Sequence, residues 1–540
     1  MGRPNTAILA VFFLAMIALF GGVTLFKGGV FIEKHEGDAY QLIEMVLRVA
    51  DGQRPHLDFM TPIGFLALAP ISAFVALGFG IGKSFVLAQI AVAFVLSVLA
   101  LRVAVSRLEG VWSFLFGLIV VVLCTALVHG EADRAVSISM HYNRWAWALS
   151  YIVIALAMLE PLRDRAPVLD GVILGAGMAA LALTKITYFV AFFPPVVLAL
   201  LMRRQWRMIL AAIIAGVAVG AAVTALVGME FWYAYLDDLI AVTQSEARQR
   251  PGADLSSTIT APAYLGASFL LLGAVVALRQ SRQEVPGLLL LLLAPGFVYV
   301  TYQNFGNDPQ WLYFVAMLMF VLRPRTELRN GLGWDMRAVM LVIGVAVLSH
   351  GAPSALNLVY SPFRHVFLAE DDFGSLLPRA GLSDDLHARE IRLYRTDGNV
   401  PLDRPGTGLD AWKEEADRPP AAELKGEELA DCELMVGMTA WFTAASRDLD
   451  AAGFAGARLF AADVFNSYPL FGDFPFLQGG APWYYGGLSG YDNADYVIVP
   501  LCPIAPDVRA NVLETLTERG ETLEEVRRTP LYILLRKMAS

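Results

Sequence analysis

The chain has 540 residues, of which 56% are hydrophobic and 17% are charged, whereas charged residues make up about a quarter of ordinary soluble domains. Residues 1–350 hold 45 of the 91 Asp, Glu, Lys and Arg residues and sum to +3, while residues 351–540 hold the other 46 and sum to −12. This distribution excludes an ordinary soluble enzyme, and the lack of a basic patch argues against nucleic acid as a partner.

The first apolar run, at about 8–26, predicts an uncleaved membrane helix, because it is longer than the core of a signal peptide and lacks a small-residue cleavage site. Five arginine clusters follow, and the positive-inside rule places them all in the cytoplasm. They are Arg102/Arg107, Arg163/Arg165, Arg203/Arg204/Arg207, Arg279/Arg282 and Arg323/Arg325/Arg329/Arg337. The apolar sequence between them predicts crossings at 8–26, 85–104, 111–128, 145–160, 168–183, 186–201, 208–228, 263–279, 286–300, 311–322 and 338–350.

About eleven crossings that start inside finish outside, so the tail after His350 is expected to be extracytoplasmic. The apolar segment 62–82 does not fit this count, since a crossing there would place Arg102 outside. We therefore expect it to lie at the outer interface, with an ordinary membrane helix as the alternative.

The tail divides into two parts. Residues 351–430 are polar and rich in Pro and Gly, which predicts an irregular linker with some short helix. Residues 431–540 predict a small α/β domain, with buried strands at 434–436, 496–499 and 532–535 and a helix at 507–519. The aromatic stretch 465–491 is interpreted as a loop packed over this core, with a membrane or glycan contact as the alternative. Cys432 and Cys502 lie beside predicted strands, and an oxidising compartment would permit a disulfide between them.

The predicted fold class is an α-helical polytopic membrane protein with a C-terminal extracytoplasmic α/β domain. Its transmembrane domain is 1–350 and carries a long first outer loop at 27–82. The predicted location is the inner membrane of a bacterium, with the C-terminal domain in the periplasm.

The first outer loop carries HEGDAY at 35–40, DGQRPHLDF at 51–59 and TPIG at 61–64. This loop resembles that of the GT-C superfamily of membrane glycosyltransferases. The resemblance rests on four features: an acidic residue soon after the first helix, an aromatic residue two positions on, the pattern G-x-x-P-x-x-D-F and a Pro-Gly segment. The similarity is to the branch of protein O-mannosyltransferases and aminoarabinose transferases. It implies inverting transfer of a sugar from a polyprenyl-phosphate carrier, at the outer face of the bilayer, to a lipid, glycan or protein acceptor.

Such a transfer needs a base for the acceptor hydroxyl and cations for the departing phosphate. Asp38 stands where this family has its catalytic acid and is the candidate base; it would equally cap the helix that starts near Ala39. Glu131 and Asp133 are candidates for a second acidic residue, or are a solvated turn. Lys185 stands between two apolar helices and is the main candidate for binding phosphate, although a snorkelling lysine has the same pattern.

Further candidates for substrate binding come from the other outer loops. Alternative phosphate ligands are Arg54, Arg144, Arg248 and Arg250, of which the last two match a basic residue that the family places after the seventh helix. His35 would pair with phosphate or with Asp38, and Tyr40 is the aromatic residue of the motif. Gln303 and Asn304 would bind sugar hydroxyls, and Asp58 is expected to shape its loop by local hydrogen bonds.

No metal or cofactor is predicted, because no ligand set is fixed by spacing. Two other functions remain open at this point. One is a transporter or flippase of a lipid-linked substrate, which paired broken helices with charges near the midplane would favour. The other is a non-catalytic scaffold of an envelope complex, which would leave the clustered outer-loop charges unexplained.

Overall fold

The structure is a computed structural model that describes residues 5–130, 133–245, 255–260, 262–304, 309–378, 381, 383–403, 406–415 and 421–538. Within these residues, fifteen α-helices precede residue 367. They are α1 Thr6–Phe26, α2 Glu36–Ala50, α3 Phe65–Ala76, α4 Ile81–Arg107, α5 Val111–Thr125, α6 His141–Met158, α7 Pro167–Thr184, α8 Ile186–Met202, α9 Trp206–Val227, α10 Glu230–Gln244, α11 Leu255–Thr260, α12 Pro262–Gln280, α13 Glu284–Gln303, α14 Trp311–Val321 and α15 Met336–Val366. Each of the eleven predicted crossings is one of these helices.

Six of the described helices are long and apolar enough to cross a membrane, namely α1, α4, α7, α9, α13 and α15, and shorter apolar helices accompany them. In α1 the residues Leu9 and Phe13 are buried, whereas Ile8, Val11 and Leu14 on the other face are 50–64% exposed. Exposed apolar faces of this extent are unfavourable in water and favourable in lipid. The chain is therefore a multi-pass helical membrane protein.

Contacts between helix ends show which of these ends lie together at the same end of the bundle. At one end, which we call the loop end, the Phe31 amide that follows α1 donates to His365 Nε2 near the end of α15, at 3.0 Å. At the opposite, arginine-rich end, Arg107 of α4 donates to Asp170 of α7 at 2.9 Å, and Arg203 after α8 donates to the Ala157 carbonyl of α6 at 3.1 Å. This sorting is the one that the positive-inside rule predicts.

The first loop returns to the end from which it starts. The Val30 amide, just after α1, donates to the Asp385 carbonyl at 2.8 Å. The Gly82 amide, at the start of α4, donates to the carboxylate of the same residue at 2.9 Å. A single crossing between these two points would place them at opposite ends, so α3 does not cross. These contacts are compatible with the interfacial placement of 62–82, which stays a prediction.

The last helix of the bundle corrects the prediction that the chain becomes irregular after residue 350. Helix α15 continues to Val366, so the predicted domain boundary falls inside it. The polar residues that suggested a linker bind the loop between α5 and α6, which we call the second loop. Ser354 Oγ donates to the Gly130 carbonyl at 2.7 Å, and Asn357 Nδ2 donates to the Asp133 carbonyl at 2.6 Å. We call residues 351–366 the α15 extension.

The described residues after 366 form a C-terminal part with short strands and four α-helices. Its elements are β2 Phe373–Ser375, β3 Leu386–Arg389, α16 Glu390–Tyr394, β4 Asp397–Asn399, β5 Glu423–Leu424, β6 Glu427–Glu428, β7 Glu433–Val436, α17 Met438–Ala451, β8 Leu459–Ala461, α18 Tyr468–Phe471, β9 Tyr496–Pro500, α19 Pro506–Glu518, β10 Leu523–Arg528 and β11 Tyr532–Lys537. The main sheet has the order β10-β11-β9-β8, in which β8 and β9 are parallel. Strands β7, β9 and β11 and helix α19 lie where the sequence predicts them, and buried aromatic residues of 465–491 pack over this core.

A second sheet joins the two parts of the chain. Strand β1, Val30–Ile32 in the first loop, pairs in parallel with β3, which also pairs with β2. Strands of three or four residues far apart in sequence leave no periodic signal, so this sheet was not predicted. It fixes the first loop to the segment that follows the α15 extension.

Cys432 and Cys502 form a disulfide. The bridge ties the start of β7 to the turn after β9 across a sequence separation of 70 residues. Such a crosslink restricts the unfolded chain, so it stabilises the C-terminal part.

We expect the double substitution Cys432→Ser, Cys502→Ser to lower the free energy of unfolding by about 2–4 kcal/mol. Thermal melting with and without reductant measures the effect, because only the wild type should respond to reductant. Cys124→Ala is the matched control and should keep that response, since Cys124 is a free thiol buried in α5. Non-reducing mass spectrometry that finds Cys432 and Cys502 as free thiols would contradict the bridge.

Candidate functional site

The first loop turns sharply before Asp38. After β1 the chain reaches His35, whose φ of 65° is left-handed, and α2 then starts at Glu36. Asp38 therefore lies in the first turn of α2, where the helix dipole favours a negative charge. Gly37 is required here because a Cβ at that position would lie 2.8 Å from the Phe465 ring.

Asp38 and His35 face the second loop, which lies between α5 and α6. Ser139 Oγ donates to Asp38 Oδ2 at 2.5 Å, and His35 Nδ1 is 3.1 Å from Ser137 Oγ. Both serines are buried, whereas Asp38 and His35 are half-buried. The carboxylate is thus held by a protein hydroxyl while its side chain keeps access to solvent.

Two further side chains surround this group. Lys34 forms an ion pair with Asp133 of the second loop, and this contact lowers the pKa of Asp133. The ring of His129 lies 4.9 Å from the ring of His35. Burial lowers the pKa of His129 to about 3, so its imidazole is neutral at physiological pH. Asp133 is therefore engaged in holding the loop, and His129 adds no positive charge beside Asp38.

Lys185 lies at the same loop end of the bundle. It occupies the break between α7 and α8, with extended backbone angles and a half-buried side chain. Its Nζ is 5.2 Å from the ring centroid of Tyr142, in cation–π geometry. The first loop also reaches this break, because the Gly64 amide donates to the Thr184 carbonyl at 3.2 Å.

One short segment connects the two charged groups. Ser139 contacts Asp38, and Tyr142, three residues later, contacts Lys185. Three residues span at most about 11 Å of backbone. The structure therefore brings a carboxylate and an ammonium group to the two ends of one four-residue segment, Ser139 to Tyr142, which we call the 139–142 bridge.

Several predicted binding residues lie elsewhere or have structural partners. Tyr40 is fully buried and its hydroxyl bonds to Thr439, and Arg144, also fully buried, donates to the carbonyls of Ala126 and Val128. Arg54, mostly exposed, pairs with Asp58, which shapes the loop as expected. These contacts give each of these side chains a role in packing or loop geometry, and their part in substrate binding stays a prediction.

Of the remaining predicted site residues, two lie in the described part of the chain and three lie outside it. Asn304 is buried and accepts a bond from Asn143 Nδ2 at 3.0 Å, while Gln303 next to it is half-buried. Glu131, Arg248 and Arg250 lie outside the described residues. Among the residues that are described, no three His, Cys, Asp or Glu side chains converge on a metal site.

The sequence did not single out Ser137, Ser139 or Tyr142 as functional. Ser137 and Ser139 alternate in a segment outside the regular helices and strands, and they contact His35 and Asp38 respectively. The alternation is a usable signal, although two serines in a loop are common.

The chain is similar to ArnT from Cupriavidus metallidurans, whose crystal structure in the apo state it matches over 97% of both chains. The sequence identity is 13% and the TM-score is 0.40. No protein-family model matches the sequence, and no curated protein does.

Proposed function

We propose that this protein is a membrane glycosyltransferase of the GT-C type, which transfers a sugar from a polyprenyl-phosphate carrier to an acceptor hydroxyl with inversion. The observation that carries the proposal is the placement of Asp38 and Lys185 at the two ends of the 139–142 bridge, at the loop end of an apolar helix bundle. A lipid carrier holds its phosphate and sugar at such a depth, where bilayer meets water.

Asp38 and Lys185 supply the two groups that the reaction needs, a base for the acceptor proton and a cation for the departing phosphate. The acceptor oxygen forms a bond to the anomeric carbon while the bond from that carbon to the phosphate oxygen breaks. The phosphate leaves with the electron pair, and Lys185 stabilises its negative charge. The acceptor proton passes to Asp38, whose position is fixed by the Ser139 hydroxyl.

The second acidic residue is assigned by its contacts. Asp133 is already paired with Lys34, so we infer that it positions the second loop and does not take the proton. His129 lies beside His35, and because its imidazole is neutral it adds no positive charge near Asp38. Asp38 is then the base best placed to act.

The disulfide supports an extracytoplasmic site. Such bonds persist in oxidising compartments such as the periplasm. Because β1 pairs with β3, the bridged C-terminal part lies at the same end of the bundle as Asp38. We infer that both face the periplasm of a bacterial inner membrane, and that the acceptor, whether lipid, glycan or protein, arrives from that side.

The test is sugar transfer in membranes that contain the protein, using a panel of labelled polyprenyl-phosphate sugars and membranes without the protein as the control. Label moving from at least one donor to an acceptor supports the proposal. Movement of the intact lipid between leaflets of reconstituted vesicles, with its sugar still attached, would instead indicate a flippase. If neither activity is found with any donor, the catalytic proposal is overturned and a scaffold role is favoured.

We expect Lys185→Met to lower kcat/KM for the donor by about 10- to 100-fold, since a charge-assisted contact to phosphate is lost. Lys185→Arg should retain more activity. The matched control is Lys83→Met, which removes an exposed lysine at the start of α4 on the same end of the bundle. Steady-state kinetics with varied donor measures the effect; an equal loss in Lys83→Met would show that Lys185 has no special role.

A further inference from the structure

A cavity of about 780 Å³ lies at the arginine-rich end, opposite Asp38. It is an open cavity lined by the ends of α4, α6, α8 and α14, the starts of α5 and α15, and the turn between α12 and α13. It is therefore a feature of the whole bundle, formed where many helices end together.

The cavity has a strong excess of positive charge. Six arginines and three glutamates line it, a balance of +3. The arginines are Arg107, Arg203, Arg282, Arg323, Arg325 and Arg337, and the glutamates are Glu109, Glu160 and Glu284. An anion placed at the centre would meet cations from several helices.

Half of these arginines already have protein partners. Arg107 binds Asp170 at 2.9 Å, Arg325 binds Glu109 at 2.6 Å, and Arg203 donates to main-chain carbonyls of α6. Arg282, Arg323 and Arg337, in contrast, have no side-chain hydrogen bond or ion pair to any described residue. Three guanidinium groups are thus left to bind an external anion.

The wall beside these cations is apolar and aromatic. The rings of Trp112 and Phe320 stack at 5.0 Å with an angle of 12°, and Leu159 and Val321 lie next to them. A ligand that fits must therefore carry both a phosphate-like charge and an apolar portion. A phospholipid headgroup with its glycerol and first methylenes has that composition.

The positive-inside rule accounts for arginines at this end but not for their convergence on one cavity. Arg165, Arg204 and Arg207 satisfy the same rule and do not line it. Basic pockets between helices on the cytoplasmic side are suited to anionic headgroups, which are concentrated in that leaflet. We propose that this cavity binds the phosphate headgroup of an anionic phospholipid.

The test compares two triple variants of the full-length protein in nanodiscs that contain phosphatidylglycerol or phosphatidylcholine. Arg282→Gln, Arg323→Gln, Arg337→Gln removes the three unpartnered cavity arginines. Arg165→Gln, Arg204→Gln, Arg207→Gln removes the same charge from the same end outside the cavity. Native mass spectrometry counts retained phosphatidylglycerol, and we expect the cavity variant to retain it at least about tenfold less tightly, with the control unchanged.

The possible outcomes are separable. Equal retention by both variants overturns the proposal, because bulk charge would then explain binding. Displacement of the lipid by millimolar inorganic phosphate would overturn the lipid as the ligand and favour a soluble phosphate. If the triple variant does not fold, the single variant Arg323→Gln is measured against Arg204→Gln in the same way.

Discussion

Asp38→Asn is expected to lower sugar transfer by about two to four orders of magnitude, the usual contribution of a general base. Asparagine keeps the shape of the side chain and its bond from Ser139, but it cannot accept the acceptor proton. Binding of the donor should change little. Transfer measured at saturating donor, with the mutant shown by gel filtration to be folded, isolates the chemical step.

Asp51→Asn is the matched control. Asp51 is an exposed aspartate at the other end of the same helix, so its substitution removes an equal charge without touching the site. Ser139→Ala should produce a smaller loss than Asp38→Asn, because it only releases the carboxylate. If Asp38→Asn transfers sugar at the wild-type rate, the base must be sought in the second loop, at Glu131 or Asp133.

Glu44→Gln is expected to reduce the free energy of unfolding by about 3–5 kcal/mol. Glu44 and Arg48 form an ion pair at 2.8 Å on α2, with side chains that are 0% and 1% exposed. Burial raises the pKa of Glu44, and Arg48 opposes that effect. The substitution leaves Arg48 as a buried cation without a counter-charge, which is the costly situation.

The loss of stability in Glu44→Gln should extend beyond α2 to the C-terminal part. Arg48 also donates to the Leu477 carbonyl at 3.1 Å and lies 4.9 Å from the centre of the Phe476 ring. The double variant Glu44→Gln, Arg48→Met should recover much of the stability, since a neutral apolar pair needs no charge compensation. Glu327→Gln, in an ion pair whose side chains are 65% and 66% exposed, is the control and should leave the melting temperature unchanged. A double variant no better than the single one would refute the charge argument.

The helices were predictable because lipid imposes a simple rule: about twenty apolar residues between charged ends. The same rule failed at the α15 extension, where Ser354 and Asn357 resemble linker residues until their partners in the second loop are known. Polar composition alone does not distinguish a solvated segment from one whose hydrogen bonds are made to a distant loop.

The candidate site was predictable in part. The motif at 35–40 pointed to Asp38, and a charge between two apolar helices pointed to Lys185, since both signals are local in sequence. Ser139 and Tyr142 were missed because their roles depend on a contact with another loop. The burial of Tyr40 against the C-terminal part was likewise not visible in the sequence.

The sheet and contacts that join the first loop to the C-terminal part impose an order on biogenesis. Tyr40 bonds to Thr439, 399 residues later, and β1 cannot pair until β3 has been made. At about 5–20 residues per second, the ribosome needs on the order of 20–80 s to cover that separation. In the proposed topology, the first loop reaches the periplasm before Thr439 has been made, so the nascent chain has a long window in which a chaperone or a protease can reach that loop.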